Sequence, residues 1–180
     1  MRRRSLLTTL PAVATLGGCS TLSSLTTPEI RAESGSGHLR PADELQIAHG
    51  LQPDGDDHVY ATVAPDEAPD LVTDDTDDHL VDTLSNDGGD VFTLVMQLRS
   101  TPDAPMSLML TPGGDVRIDG RTLHAAVTVE SWGPLDRIDD RATRESLQSA
   151  DELVYTSVWN LTPEPRSLPQ QVDLHLSHRG

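Results

Sequence analysis

From Phe92 to Arg99 the side chains alternate with a period of two, Phe92, Leu94, Met96 and Leu98 on one face and Thr93, Val95, Gln97 and Arg99 on the other. Successive side chains of an extended backbone point to opposite faces, so this run reads as a strand with one face against a core. The pattern recurs along the chain. Met106, Leu108 and Leu110 continue it after Thr101-Pro102-Asp103, and Val172, Leu174 and Leu176 alternate with Asp173, His175 and Ser177. Val59 to Val63 reads as an earlier strand, and Leu153 to Leu161, apolar on both faces through Val154, Tyr155, Val158 and Trp159, as a central one.

Asp119-Gly120 is a two-residue hairpin signal. A turn centred there sets Val116 opposite Leu123 and Ile118 opposite Arg121, and puts Val116, Ile118, Leu123, Ala125, Val127 and Val129 on one face. Helical pieces are short: Thr76 is placed to cap Asp77 to Leu84, and Asp140 to cap Arg141 to Ser149. Six or so strands with polar turns and little helix predict a mostly β fold, a single antiparallel β-sandwich-like domain with one or two short helices.

This domain must fold on packing alone. The single cysteine of the chain is Cys19, so no disulfide is available, and blue copper, iron-sulfur and c-type haem sites are excluded for want of thiolates. No cofactor is expected.

Cys19 stands in a particular context. Arg2-Arg3-Arg4-Ser5-Leu6-Leu7 leads into an apolar stretch interrupted by Thr8, Thr9, Pro11 and Thr15, far short of the roughly 20 residues that span a bilayer. A charged start, a short apolar region and small residues before a cleavage point are the parts of a secretory signal, and Arg3 and Arg4 supply the pair of a twin-arginine address. Leu16-Gly17-Gly18-Cys19 resembles the lipobox of prokaryotic lipoproteins. The resemblance implies cleavage between Gly18 and Cys19, lipid on the Cys19 sulfur, and a domain held at the extracytoplasmic face of the membrane. It covers no more than this signal and the composition described next.

The chain carries 13 basic and 29 acidic residues, a formal net charge of -16, and every basic residue is arginine. Such a charge repels itself in dilute salt, but at about 1 M salt the Debye length is about 3 Å and the repulsion is screened. Abundant carboxylates without lysine resemble the proteins of halophilic archaea, in which lipidated twin-arginine substrates are common. Nucleic acid is not an expected partner, since no basic patch is present to neutralise phosphates.

Residues 1–18 therefore read as signal peptide. Cys19 and the Ser/Thr/Gly-rich stretch to Gly37 read as a flexible tether with a reach of about 25 Å, and residues 38–180 as one β-rich extracytoplasmic domain.

Residues that carry chemistry are sparse. The chain has no G-x-S-x-G elbow, H-E-x-x-H helix, Walker loop or dinucleotide-binding glycine pattern. His175 and His178, three apart on a strand, face opposite sides, so no metal site is assigned to them. Asp54-Gly55-Asp56-Asp57-His58 and Asp74-Asp75-Thr76-Asp77-Asp78-His79 offer carboxylates that could ligate calcium, though neither matches the twelve-residue calcium loop; in a chain this acidic they read as solvated surface, as does Asp87-Gly88-Gly89-Asp90. Asn160-Leu161-Thr162 is an N-glycosylation sequon, with Pro163 directly after it arguing against occupancy.

With two tryptophans, two tyrosines and one phenylalanine, each aromatic has weight. Trp159 and Tyr155 share a face with Leu153 and Leu161 and read as core. Trp132, in Ser131-Trp132-Gly133-Pro134 just past a strand, is expected to plug the end of the sandwich, with projection into a ligand loop as the alternative. Three functional readings follow. The first is a membrane-anchored binding or interaction module that contacts another envelope protein or a small ligand. The others are an envelope hydrolase working through carboxylates, with Glu130 beside Trp132 as the placement to test, and a structural envelope component.

Overall fold

The computed structural model describes residues 29–44, 47–52, 55–64, 71–74, 76, 78–84, 91–111, 115–164 and 168–179. Its elements in chain order are β1 (Glu29–Pro41), β2 (Val59–Ala64), α1 (Asp78–Leu84), β3 (Phe92–Ser100), β4 (Met106–Leu110), β5 (Val116–Asp119) and β6 (Thr122–Ser131). A short 3-10 turn (Leu135–Arg137), α2 (Arg141–Ser149), β7 (Leu153–Glu164) and β8 (Gln171–His178) follow.

The strands form two four-stranded sheets. In the first the order is β1-β7-β3-β2, antiparallel throughout, with β7 interior as its two apolar faces predict. The second is built on β6: β4 pairs with Val127–Ser131, β5 with Thr122–Ala125, and β8 runs parallel along Thr122–Val129. Because β8 spans both stretches, β4 and β5 share the opposite edge of β6. The parallel β6–β8 pair departs from the expected antiparallel sandwich, and follows from β8 reaching β6 through a long crossover rather than a hairpin.

The core lies between the sheets. Phe92, Leu94 and Met96 of β3, Leu108 of β4, Leu123, Ala125, Val127 and Val129 of β6, and Leu153 and Leu161 of β7 are buried there, with Leu135 and Leu147 from the helical turns. Each fully buried aliphatic or aromatic side chain contributes about 1.5–3 kcal/mol by its removal from water. Asp140 caps α2 as expected, its Oδ2 accepting the Thr143 N–H at 2.7 Å, and this bond holds its carboxyl below the ordinary 3.8. Ahead of α1 the Thr76 hydroxyl oxygen accepts the Thr73 N–H at 2.8 Å.

The β5–β6 hairpin differs in register from its expectation while keeping its face. The turn is Gly120-Arg121, with Gly120 at φ 60°, so Ile118 pairs with Leu123 and Val116 with Ala125. A slip of two residues preserves side-chain parity, and the six residues from Val116 to Val129 still face the core.

The tether expectation is corrected more substantially. Residues 29–37 belong to β1, which pairs with β7 from Glu29 opposite Glu164 to Pro41 opposite Leu153, so the folded part does not begin at His38. The glycines that read as spacer are required for packing. A Cβ on Gly35 would lie 2.6 Å from the Trp159 ring, and one on Gly37 would overlap the Tyr155 hydroxyl. Both rings lie across β1 where it lacks side chains, which seals the inner face without any apolar alternation in β1 itself.

β3 is buried on both faces rather than one. Its second face, with that of β7, is covered by Leu80 and Leu84 of α1 together with Ile47 and Leu71, which pack on Val95 and Val158. Buried polar groups there are matched one by one. The Gln97 Oε1 accepts the Leu51 N–H at 2.7 Å, and its Nε2 donates to Thr156 Oγ1 at 2.9 Å. Arg99, 7% exposed, donates to the Gln52 carbonyl at 2.6 Å, to the Asp57 carbonyl at 3.2 Å and to Glu152 Oε2 at 2.6 Å.

Candidate functional site

Trp132 sits at the end of the sandwich where β6 runs out. Its N–H donates to the Pro105 carbonyl at 2.9 Å, and the Gly133 N–H donates to Ser131 Oγ at 3.2 Å. Gly133 adopts φ 99°, a left-handed conformation open to glycine, and this turns the chain sharply before Pro134. Leu135, buried, fills the end of the core next to it. Trp132, expected to plug the end of the sandwich, is instead 41% exposed, and Leu135 is the buried residue beside it.

One side of the indole is fixed. Its ring centroid lies 5.3 Å from that of Tyr155 with the planes tilted by 50°, a favourable aromatic geometry. Tyr155 is buried against β1, and burial pushes its phenol above the ordinary 10.0, with the nearby Glu130 carboxylate adding to the rise. Glu130 is half-buried at the end of β6. The end of the sandwich thus presents a solvent-facing indole packed on Tyr155, with an anionic acceptor near that tyrosine. Such a patch can stack on a planar or apolar group and accept a hydrogen bond.

A second constellation lies on the outer face of the second sheet. Register puts Arg117, His124 and Asp173 in one row across β5, β6 and β8, and His175 beside Ala126 one step along. The His124 Nδ1 lies 3.1 Å from Asp173 Oδ2, and Arg117 pairs with Asp115 at 3.1 Å. The small Ala126 forms the floor of a groove of about 230 Å³ lined by Asp115, Arg117, His124, Asp173 and His175. The sequence reading did not select His124 or Arg117. Their convergence with His175 depends on the parallel β6–β8 pairing, which no local pattern announces.

Other candidates are distributed as follows. Arg3, Arg4, Gly18 and Cys19 lie outside the described residues, as do Asp54, Asp75, Asp77 and Asp87 to Asp90. Asp56, Asp57, His58, Asp74 and Asp78 are exposed. Among the described residues no group of three or more His, Cys, Asp or Glu side chains is arranged to hold a metal ion, and no helix is long and apolar enough to cross a membrane. His175 faces outward into the groove, and His178 is the exposed last residue of β8.

Asn160 is corrected by its burial. It is 0% exposed in the interior strand β7, its Oδ1 accepting from Thr93 Oγ1 at 3.0 Å and its Nδ2 donating to the Thr83 carbonyl at 3.0 Å and Ser34 Oγ at 3.3 Å. A glycan on that nitrogen is incompatible with this fold, because it would displace α1 from the sheet. The sequon is a structural amide that joins three elements.

The fold and its exposed loops define a two-sheet β domain with an aromatic end and an open polar face. No protein family, curated protein or solved structure matches the chain.

Proposed function

We propose that this protein is a lipid-anchored binding or interaction module at the extracytoplasmic face of the membrane, in which the Trp132 end of the sandwich makes the contact. The anchor rests on the lipobox Leu16-Gly17-Gly18-Cys19 behind Arg3 and Arg4, with Cys19 the single cysteine of the chain. The observation that carries the binding role is Trp132, a scarce large aromatic seated on Tyr155 and held with one side to solvent. Keeping an indole in water forgoes part of the stabilisation that its burial would contribute, and exposed, supported aromatics are the residues that dominate interaction sites. A small ligand or another envelope protein fits this patch; nucleic acid does not fit a chain of net charge -16.

The test uses the full chain in native membranes at about 1 M salt, where the Debye length of about 3 Å leaves short-range contacts to decide binding. Affinity capture of wild type and Trp132→Ala should differ by loss of a specific companion, while both remain with the membrane. Cys19→Ser should leave the membrane fraction or persist as an uncleaved precursor. An unchanged companion set for Trp132→Ala overturns the binding site, and an unchanged mass and fractionation for Cys19→Ser overturns the anchor. Replacing Arg3 and Arg4 together by Lys should block export, since the twin-arginine address is read by a receptor rather than by charge.

A further inference from the structure

We propose that the Trp132 end of the sandwich points away from the membrane and docks a cationic segment of a protein that lies beyond the membrane surface. The proposal rests on the anchored binding reading above, and adds the side from which the partner comes and its charge. The strands fix which end is which. Pro41 of β1 is opposite Leu153 of β7, and Leu153 is opposite Ser100 of β3, so these three residues share one end of the first sheet. Glu29, Glu164 and Phe92 lie toward the other. The second sheet is in step with the first. The Met106 N–H donates to Ser100 Oγ at 3.3 Å and Met106 pairs with Ser131, which sets Trp132 at the Pro41 end. β6 and β8 start together at the Glu29 end, Thr122 opposite Gln171.

Chain length then orients the domain. Because β1 already includes residues 29–37, only ten residue steps separate the anchor at Cys19 from Glu29. Ten residues span at most about 33–36 Å, whatever their conformation. β7, 12 residues from Leu153 to Glu164, sets the two ends of the sandwich about 36 Å apart at about 3.3 Å per residue. To bring Trp132 down to the lipid with the sheets upright, the connecting chain must be drawn out to its full length, which removes its conformational freedom. With the Glu29 end down, every shorter extension is open to it. The partner of Trp132 is therefore met on the side away from the lipid.

Charge and the aromatic ring select the occupant. The segments that meet around Trp132, residues 100–106 and 129–139, are all among the described residues, and they carry Asp103, Glu130, Asp136 and Asp139 against the single base Arg137. Asp103, Asp136 and Asp139 are exposed and Glu130 is half-buried. Asp103 stands in the turn that leads to Pro105, whose carbonyl accepts the Trp132 N–H. An indole face attracts an ammonium or guanidinium group through its quadrupole, and carboxylates beside it give that group charge-assisted hydrogen bonds. An apolar lipid tail would strip water from the same carboxylates and return them no partner. An arginine- or lysine-bearing segment satisfies both the ring and the acids.

The test has two arms on the full chain at about 1 M salt, where a Debye length of about 3 Å leaves contacts rather than net charge to decide binding. In the first, a fluorophore on Arg121→Cys or on Ala104→Cys is followed in chains anchored in vesicles of native membrane lipid that carry a short-range acceptor dye at their surface. Energy transfer should be strong from position 121 and several-fold weaker from position 104. Equal transfer, or stronger transfer from 104, in chains that stay with the vesicles overturns the proposal and leaves the anchor standing. Chains that never join the vesicles overturn the anchored reading and the proposal with it. In the second arm, a labelled arginine-glycine peptide and its glutamate-glycine counterpart are titrated with detergent-solubilised chain. The arginine peptide should bind about 10-fold tighter, and Trp132→Ala should weaken it about 10-fold with an unchanged circular dichroism spectrum. Glu130→Gln should weaken it less, and it decides the matter if Trp132→Ala loses β structure. Equal binding of the two peptides, or full-strength binding of the arginine peptide to a folded Trp132→Ala, overturns the proposal.

Discussion

β3 and β6 carry the same kind of alternation and end in opposite environments. Along β6 burial follows side-chain parity, Leu123, Ala125, Val127 and Val129 buried and Thr122, His124, Ala126, Thr128 and Glu130 half-exposed. Along β3 every residue from Phe92 to Arg99 is buried. The difference lies in what covers the second face. On β6 nothing among the described residues does, and polar side chains there keep their water. On β3, α1 together with Ile47 and Leu71 excludes it, and each buried polar group needs a named partner, since an unmatched one costs about 1–3 kcal/mol. Two strands that look alike in one dimension thus differ in what their polar residues do: on β3 they hold a layer in place, and on β6 they remain available to a ligand.

Arg99→Met should give the largest loss and would break the comparison if it did not. It removes donors to Gln52, Asp57 and Glu152 from a covered face, and should cost about 3 kcal/mol in chemical denaturation at constant high salt. Gln97→Leu and Asn160→Leu should each cost about 2 kcal/mol, because they strand the Leu51 N–H or the Thr93 hydroxyl under the same layer. Amide exchange in α1 should accelerate in Asn160→Leu ahead of global unfolding, since the Thr83 carbonyl loses its donor.

A pH titration sharpens the contrast between the aromatic end and the open face. The Tyr155 phenol is held above 10.0 first by burial and then by Glu130, so the fold favours its neutral form. The stability tied to that neutral form is complete below pH 10.0 and is lost as pH rises through the raised value. Tyr155→Phe should remove this alkaline step from the denaturation profile. The smallest effects belong to β6, where His124→Leu and Thr128→Val should stay within about 0.5 kcal/mol of wild type. A loss there as large as that of Gln97→Leu would show the outer face of the second sheet to be covered.

Much of the candidate site was legible as residue types and little of it as geometry. Trp132 stood out because aromatics are scarce and because it follows a strand and precedes Gly133-Pro134. That Leu135 rather than Trp132 closes the core was not legible, because both lie within a few residues of the strand end and local pattern does not say which turns inward. Asn160 shows the reverse case. Its sequon is a local match, and only the packing of α1 over β7 shows that the amide is already engaged on both sides.

What the sequence determined by itself is what local physics decides: the alternation that makes Phe92 to Ser100 and Thr122 to Ser131 strands, the cap at Asp140, and the shared inner face of the β5–β6 hairpin. These depend on neighbours within a few residues, and a one-residue error in the turn, two in the pairing register, left the face intact because parity was preserved. Tertiary structure alone decided three things. It made Gly35 and Gly37 part of a strand, because the Trp159 and Tyr155 rings that fill their empty faces lie more than a hundred residues away. It brought Arg117, His124 and His175 to one groove through the parallel β6–β8 pair. And it buried the polar face of β3, since the period of two records which residues share a face, while coverage depends on a layer supplied by distant segments.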